Sequence, residues 1–292
     1  TTIEECLENP PEIPYHIEML NIPSIWNMGY EGEDVIVAVL DTGVDYDHPD
    51  LVGNMWEDNH GYYGYDFIEN DHYPQEHYPD YHGTYVAGVI AGNGTQGVKT
   101  GVAPKAKIMA LRIYDNQFAA TNPNFHSIAI NAVEWAIEEG ADIINICVVD
   151  WISQSGDYLV QWRQTMDNVL ATGRIAVVAA GNVQETLPSP PNEISVPGNV
   201  PPPWKHEWQI TPGGQSAVVC VGAVDQNDLR WEKSCRGPVT WAGVGNYNDY
   251  LYDPQNPYLI GLLRPDVVAP GVDVISLHSI QNYPHWEYCY TK

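Results

Sequence analysis

The sequence predicts an α/β protein with a doubly wound, mostly parallel sheet and helices on both faces. Short runs of Val, Ile and Ala alternate along the chain with longer segments whose apolar residues recur at helical spacing. The short runs are apolar throughout rather than at every second residue. This is typical of parallel strands buried on both faces, so the alternation favours a parallel sheet between two layers of helices.

The elements follow one another in a regular order. Apolar, β-branched runs predict strands at 34–40, 106–114, 141–149, 174–180 and 217–224, with a further strand inside 264–275. Small or periodically apolar residues predict helices at 82–91, 127–140 and 158–172. The second of these ends on Gly140, a residue type favoured just after a helix.

Two segments interrupt this alternation. Residues 62–81 are rich in Tyr, His, Asp and Pro, and residues 187–208 contain several Pro clusters. Neither has a period, so we expect both to be surface insertions. No linker or internal repeat is visible, and we expect residues 1–292 to belong to a single domain.

The charge balance excludes several classes of function. The 292 residues include 12 Lys and Arg against 38 Asp and Glu, a net charge of −26. Nucleic-acid binding depends on basic side chains that neutralise phosphates, so we expect no nucleic-acid partner. An anionic membrane surface would also repel the chain, and no window approaches the roughly 20 apolar residues of a membrane span. With 10 Trp and 19 Tyr, the composition is not that of a disordered chain.

The five cysteines form no Cys-x-x-Cys pair, which disfavours a zinc knuckle or a thioredoxin-like site. Cys147 and Cys220 lie in apolar runs and are interpreted as buried thiols. Cys6 and Cys289 lie near the two ends, and a bridge between them stays open. Residues 93–95 match the N-glycosylation pattern. A leader peptide is not visible at residue 1, and a processed secreted protein would look the same.

Three polar residues follow predicted strands or open a helix, where catalytic residues of such sheets collect. Asp41 follows the first strand, His82 opens the first long helix, and Asn182 follows the strand at 174–180. An Asp can orient an imidazole, a His can take a hydroxyl proton, and an Asn amide can donate to an oxyanion. Taken singly, each residue is better explained as a turn or helix-start residue than as a catalytic one.

Five stretches together resemble the subtilisin-like serine protease family, and they occur in the family's order. They are VAVLDTGVDYDHPDL (37–51), HGTYVAGVIAG (82–92), GVAPKAKIMALRI (101–113), VVAAGN (177–182) and RPDVVAPGVDVIS (264–276). The stretches containing DTG and HGTxVAGxIAG are specific signals. The five stretches together extend over most of the chain, so the resemblance covers its fold as well as its candidate site.

The resemblance implies roles for individual residues. Asp41 would be the aspartate of the catalytic triad, His82 its base and Asn182 the oxyanion donor. Asp50 is similar to the family's carboxylate ligand for a structural calcium, and the loop 93–99 would add carbonyl oxygens. The substrates would be proteins or peptides, and the protein would be secreted, at an extracellular or cell-surface location.

One departure from the family concerns the nucleophile. The family's Gly-Thr-Ser-x-Ala segment follows the VAPG motif, and the sequence reaches Lys292 without it. Ser276 and Ser279 lack the flanking glycine, a Gly-x-Ser-x-Gly elbow is absent, and Ser153 and Ser155 lie in a predicted loop. We therefore expect the nucleophile outside this chain, and a domain that lacks the C-terminal nucleophile helix. A second polypeptide that completes the domain is one explanation.

A second departure concerns the substrate groove. The strand at 141–149 matches the family strand that lines the first specificity pocket, where Ser-Leu-Gly is usual. This chain has Cys147, Val148 and Val149 there. Either the β-branched side chains narrow the pocket, or a neighbouring loop has shifted to accommodate them.

Two functions of different classes follow from these observations. The first is a secreted serine endopeptidase that works by Ser/His/Asp acyl transfer. The second is a catalytically inactive module of the same fold that serves in assembly or protein binding, a role that many exposed aromatic side chains would suit. A nucleotide-binding α/β protein is disfavoured because no Gly-x-Gly-x-x-Gly follows a strand.

Overall fold

The computed structural model describes residues 11–77, 80–115, 124–147, 156–183, 190–202, 216–279 and 290–291. Its backbone divides into two units. The first comprises Thr1–Ile144 with Val272–Lys292, and the second comprises Asn145–Gly271.

Parallel strands form the centre of the first unit. β1 (Ile36–Asp41) and β2 (Gly64–Asp66) lie on either side of β3 (Lys107–Arg112) and pair with it in parallel. All residues of β1 and β3 except the first of each strand are buried. This burial explains their apolar sequences, because both faces of such strands are covered. β4 (Ile143–Ile146) begins within this unit and ends in the next.

The helices of the first unit include two short ones near its start and two longer ones. They are α1 (Tyr15–Met19), α2 (Ile22–Trp26), α3 (His82–Ala91) and α4 (Phe125–Glu138), with a 3-10 turn at Val52–Asn54. The α3 helix is rich in small residues because it packs closely on β10 (Ser276–Leu277). A Cβ on Gly88 would lie 2.4 Å from the Oγ of Ser276, so only glycine fits this contact. β10 pairs in antiparallel fashion with β11 (Tyr290–Thr291).

The second unit repeats the α/β pattern. α5 (Gly156–Ala171) precedes β5 (Ile175–Ala179), which pairs in parallel with β6 (Val218–Val224). β6 in turn pairs in parallel with β9 (Val267–Pro270). A hairpin of β7 (Trp241–Val244) and β8 (Tyr247–Asp249) stands apart from these strands.

The predicted α/β class with a mostly parallel sheet is confirmed. Each predicted helix and strand has a counterpart of the same type, with bounds that differ by a few residues, and α3 has the predicted bounds. None of the helices in the described ranges is long and apolar enough to cross a membrane.

The expectation of surface insertions differs from the structure in two places. Residues 64–66 of the first segment form β2, and Glu76 and Asp80 of the same segment are buried. In the second segment, residues 193–202 are buried, while 187–189 and 203–208 lie outside the described residues. Polar and Pro-rich composition suggested solvent exposure, but hydrogen bonds to neighbouring elements allow these polar groups to be buried.

Candidate active site

Asp41 is the last residue of β1, and its side chain is fully buried. Its Oδ1 accepts a hydrogen bond from the backbone N–H of Thr42 at 2.8 Å. Its carbonyl oxygen accepts the backbone N–H of Ile113 at 2.9 Å, which continues the pairing with the neighbouring strand beyond Arg112. The turn that follows needs Gly43, whose φ of +104° lies in the left-handed region. The carboxylate is therefore held in a fixed position at the carboxyl end of the strand.

His82 is the first residue of α3 and meets this carboxylate. Its Nδ1 lies 2.8 Å from Oδ1 and 2.9 Å from Oδ2 of Asp41. The separation falls within the range of about 2.6–3.2 Å that a base and its orienting group need. The carboxylate makes Nδ1 the protonated nitrogen of a neutral ring, so Nε2 is left to accept a proton. The side chain of His82 is 52% exposed, so the imidazole is accessible from solvent.

The surrounding charges favour the imidazolium form of His82. The negative charge of Asp41 is the largest effect and raises the pKa of His82 to about 9, against the opposing effect of burial. The carboxylates of Glu76 and Asp80 raise this pKa further. The site is therefore arranged to stabilise positive charge on the ring, as a general base requires after it has taken a proton.

Asn182 belongs to the second unit, where it follows β5 and Gly181. It forms an isolated antiparallel bridge with Ser234, and the carbonyl oxygen of Gly181 accepts the N–H of Cys235 at 3.0 Å. Asn182 is exposed, so its amide is accessible. Its role as an oxyanion donor stays a prediction.

The residues predicted for the substrate groove lie at and beyond the end of β4. Cys147 is half-buried, and its Sγ lies 3.3 Å from Nδ2 of Asn145. Val148 and Val149 lie outside the described residues. The prediction of buried thiols holds for Cys220, and burial raises the pKa of its thiol to about 12.

Two serines considered as nucleophiles are inaccessible. Ser276 is fully buried, and its hydroxyl donates to the carbonyl of Tyr85 at 2.6 Å. Ser279 is 1% exposed and donates to Oδ2 of Asp45 at 3.2 Å. Neither could attack a substrate carbonyl in these positions. Ser153 and Ser155 lie outside the described residues.

Asp50 and the loop 93–99, predicted to hold calcium, are in contact. Oδ1 of Asp50 accepts the N–H of Gln96 at 2.7 Å, and its carbonyl accepts the N–H of Asn93 at 3.2 Å. Among the described residues, no group of three or more His, Cys, Asp or Glu side chains is placed to hold a metal ion. A cation here would depend on one carboxylate and on carbonyl oxygens of the loop, a mixed oxygen set of the kind that calcium accepts.

Sequence reasoning missed Glu76. Its carboxylate is buried and contacts the residues that directly follow both Asp41 and His82. It lies six residues before His82 in a segment without periodicity, where an acidic side chain is usually solvated. The only signal in the sequence is an acid shortly before a helix start, and such acids are common.

A buried carboxylate that binds a half-exposed imidazole, at the carboxyl end of a parallel strand, is the arrangement of hydrolases that activate a nucleophile through a base. Comparison with known proteins narrows this class. The chain belongs to the subtilase family of serine proteases, whose model matches residues 32–292.

Several relatives have similar sequences. Thermitase of Thermoactinomyces vulgaris is 30% identical over 84% of this chain and 74% of its own length. Subtilisin DY of Bacillus licheniformis is 29% identical over 93% of this chain and 86% of its own length. The minor extracellular protease Vpr of Bacillus subtilis is 32% identical over 77% of this chain, which spans 28% of Vpr.

Solved structures have the same fold. The MycP3 protease from the type VII (ESX-3) secretion system matches with a TM-score of 0.63 and 24% identity, over 99% of this chain and 72% of that one. MycP1 from Mycobacterium smegmatis matches with a TM-score of 0.59 and 21% identity, over 94% and 67% of the two chains. At these identities the likeness shows the fold alone.

Proposed function

We propose that the protein is a serine endopeptidase that cleaves proteins or peptides by acyl transfer. In this proposal Asp41 orients His82, and Nε2 of His82 takes the proton of the attacking serine and later gives it to the leaving amine. The amide of Asn182 donates to the oxyanion of the tetrahedral intermediate. The observation that carries the proposal is the hydrogen bond of 2.8 Å between Asp41 and His82 in a member of the subtilase family.

The nucleophile is part of the proposal. Residues 1–292 contain no Gly-Thr-Ser-x-Ala segment, and Ser276 and Ser279 are buried and bonded elsewhere, so we assign the attack to a serine outside this range. That serine would belong to a further segment or to a second polypeptide. Its hydroxyl would have to reach Nε2 of His82, because Nδ1 is engaged by Asp41.

The proposed substrate groove borders the end of β4. Cys147, Val148 and Val149 would line the first specificity pocket, and two β-branched side chains there would favour small substrate side chains. The alternative is a loop displaced to make room. A panel of peptides that differ only in the residue before the scissile bond distinguishes the two, since only a narrowed pocket discriminates against large side chains.

We further propose a structural calcium at Asp50 and the loop 93–99, and an extracellular location. The calcium is supported by the contact of the Asp50 carboxylate with Gln96 of the loop. When bound, such a cation would tie the loop to the segment after β1. The location is supported by the extracellular relative Vpr.

Peptide hydrolysis by the complete protein tests the catalytic proposal. Asp41→Asn should lower kcat by about 10⁴-fold, because the imidazole loses its orienting charge. Asn182→Ala should lower it about 10²–10³-fold. Asn227→Ala changes the same side chain at another exposed position and should leave kcat unchanged. Wild-type activity in both Asp41→Asn and Asn182→Ala would exclude the proposed roles.

A serine-directed fluorophosphonate tests the position of the nucleophile. It should label nothing within residues 1–292 and one serine elsewhere in the complete protein. A label on a serine of this chain would require the site to be redrawn around that residue. A complete protein that neither reacts nor cleaves peptides would instead be the inactive binding module.

A further inference from the structure

The Glu76 carboxylate lies between the two turns that carry Asp41 and His82. The side chain of Glu76 is 1% exposed, although residues 72–77 around it form neither a helix nor a strand. Its Oε1 accepts the hydroxyl of Thr42 at 2.6 Å and the backbone N–H of Gly83 at 2.9 Å. Its Oε2 accepts the backbone N–H of Thr84 at 3.2 Å and also the Thr84 hydroxyl. One carboxylate therefore takes four hydrogen bonds.

The four donors come from the residues that follow the Asp–His pair. Thr42 directly follows Asp41, while Gly83 and Thr84 directly follow His82. The backbone N–H of Gly83 also lies 2.9 Å from Oγ1 of Thr42, so the two turns contact each other as well as Glu76. Glu76 thereby connects the end of β1 to the start of α3.

The donor directions suit an ionised carboxylate. The Oγ1 atom of Thr84 accepts the N–H of Asp45 at 2.8 Å, and Oγ1 of Thr42 accepts that of Gly83. Each hydroxyl oxygen thus receives an N–H, and its own hydrogen points to Glu76. A neutral carboxylic acid would direct its proton at one of these donors, and a hydrogen bond would be lost.

We propose that Glu76 is a positioning residue that fixes the turn after Asp41 against the first turn of α3, and so holds Nδ1 of His82 on the Asp41 carboxylate. The catalytic meaning of this role rests on the proposed endopeptidase function. A bond between two side chains alone would leave the imidazole free to swing outward, because half of it is exposed. The Glu76 contacts restrain the backbone from which His82 projects.

The charge of Glu76 also acts on the pair. Burial raises the pKa of Glu76 to about 7, against hydrogen bonds from Thr42 and Thr84, and the nearby charge of Asp41 raises it as well. The carboxylates of Asp41, Glu76 and Asp80 all raise the pKa of His82. An uncharged side chain in place of Glu76 should therefore lower the pKa of His82 as well as loosen its backbone.

The test compares Glu76→Gln with wild type in two assays. The first is NMR of the His82 ring, which reports its pKa and the Nδ1–H bonded to Asp41 without needing turnover. The second is peptide hydrolysis by the complete protein at a pH above the pKa of His82. We expect a lower His82 pKa, a weaker Nδ1–H signal, and a kcat reduced about 10- to 100-fold with KM changed less than about twofold.

Matched variants separate positioning from general damage. Glu69→Gln makes the same chemical change in the same segment at a carboxylate that is 53% exposed, and should leave both assays unchanged. Thr42→Val keeps the Glu76 charge but removes the hydroxyl that donates to Glu76, accepts the N–H of Gly83 and lies 3.3 Å from Oδ1 of Asp41. We therefore expect kcat to fall while the His82 pKa changes less than in Glu76→Gln. Thr42→Ser restores the hydroxyl and should restore kcat.

The outcomes distinguish the two proposals. One outcome is that the complete protein cleaves peptides while Glu76→Gln keeps the wild-type kcat and the wild-type pKa of His82. In that case the positioning role is wrong. If Glu76→Gln does not fold, Thr42→Val is measured in the same assays, and a wild-type kcat together with a wild-type Nδ1–H signal there overturns the role. If the protein cleaves nothing but Glu76→Gln still alters the His82 signals, the endopeptidase proposal fails while the positioning role stands.

Discussion

Removing one partner of the buried ion pair between Arg112 and Asp66 should destabilise the sheet where β3 lies between β1 and β2. Arg112 ends β3, and its strand neighbours in register are Asp41 on one side and Asp66 on the other. Both Arg112 and Asp66 are 1% exposed, and Nη1 of the arginine lies 2.7 Å from Oδ2 of the aspartate. Oδ1 of Asp66 accepts the backbone N–H groups of Ile68 and Glu69.

The perturbation is Asp66→Asn, which keeps the shape of the side chain and removes its charge. Breaking a buried pair by removing one partner costs about 3–5 kcal/mol, because the other charge stays buried. Arg112 keeps a second partner, Asp115, at 2.7 Å, so we expect the lower end of this range, about 3 kcal/mol. The free energy of unfolding is measured by urea denaturation.

Glu69→Gln is the internal control because it removes another carboxylate from the same arginine. Glu69 is 53% exposed and lies 3.4 Å from Nη1 of Arg112, so its loss should cost less than about 1 kcal/mol. The reasoning would be refuted if Asp66→Asn destabilised the protein no more than Glu69→Gln. Equal effects would mean that water or Asp115 replaces the buried partner at no cost.

Three further predictions concern the candidate site. A chelator should lower the melting temperature if calcium binds at Asp50, because a ligand bound only by the folded state stabilises it; an unchanged value would exclude a structural metal. Gly83→Ala should lower the free energy of unfolding by about 1–3 kcal/mol, because a Cβ there would lie 1.9 Å from the carbonyl oxygen of Gly43. A Cβ on Gly53 would meet nothing within 4 Å, so Gly53→Ala should leave the free energy of unfolding unchanged in urea titrations. His82 stabilises the fold as a cation, because its pKa rises from 6.5 to about 9. This contribution should be complete below pH 6.5 and disappear as the pH rises through 9, and His82→Gln should remove that dependence from melting curves; an unaltered pH dependence would contradict the assignment.

The sequence predicts those elements whose patterns are local. The strand before Asp41 is apolar throughout, and α3 combines small residues with a polar first residue, so both could be found from periodicity and composition. Because parallel strands end at one edge of the sheet, the contact between Asp41 and His82 could also be expected. The family resemblance added the residue roles, which neither composition nor spacing supplies.

Other features depend on contacts between segments that are distant in sequence. Asp66 and Arg112 are 46 residues apart, and each by itself has the composition of a solvated surface residue. The segment 62–81 therefore predicted a surface insertion, although it contains an edge strand of the sheet. Residues 193–202 were also predicted to lie at the surface, but they are buried. A Pro-rich composition indicates where the backbone turns, and it does not indicate whether other parts of the protein cover it.

The buried acids of the first unit show why net charge is a poor guide to where a carboxylate lies. The chain has a net charge of −26, and dispersing its acidic side chains over the surface would lower their mutual repulsion. Nevertheless Asp41, Asp66 and Glu76 are all buried. Each is supplied with local donors: the imidazole and a backbone N–H for Asp41, a guanidinium for Asp66, and two hydroxyls with two backbone N–H groups for Glu76. Because an unpaired buried charge is so costly, these donor sets, rather than the overall charge, determine which acids can be buried.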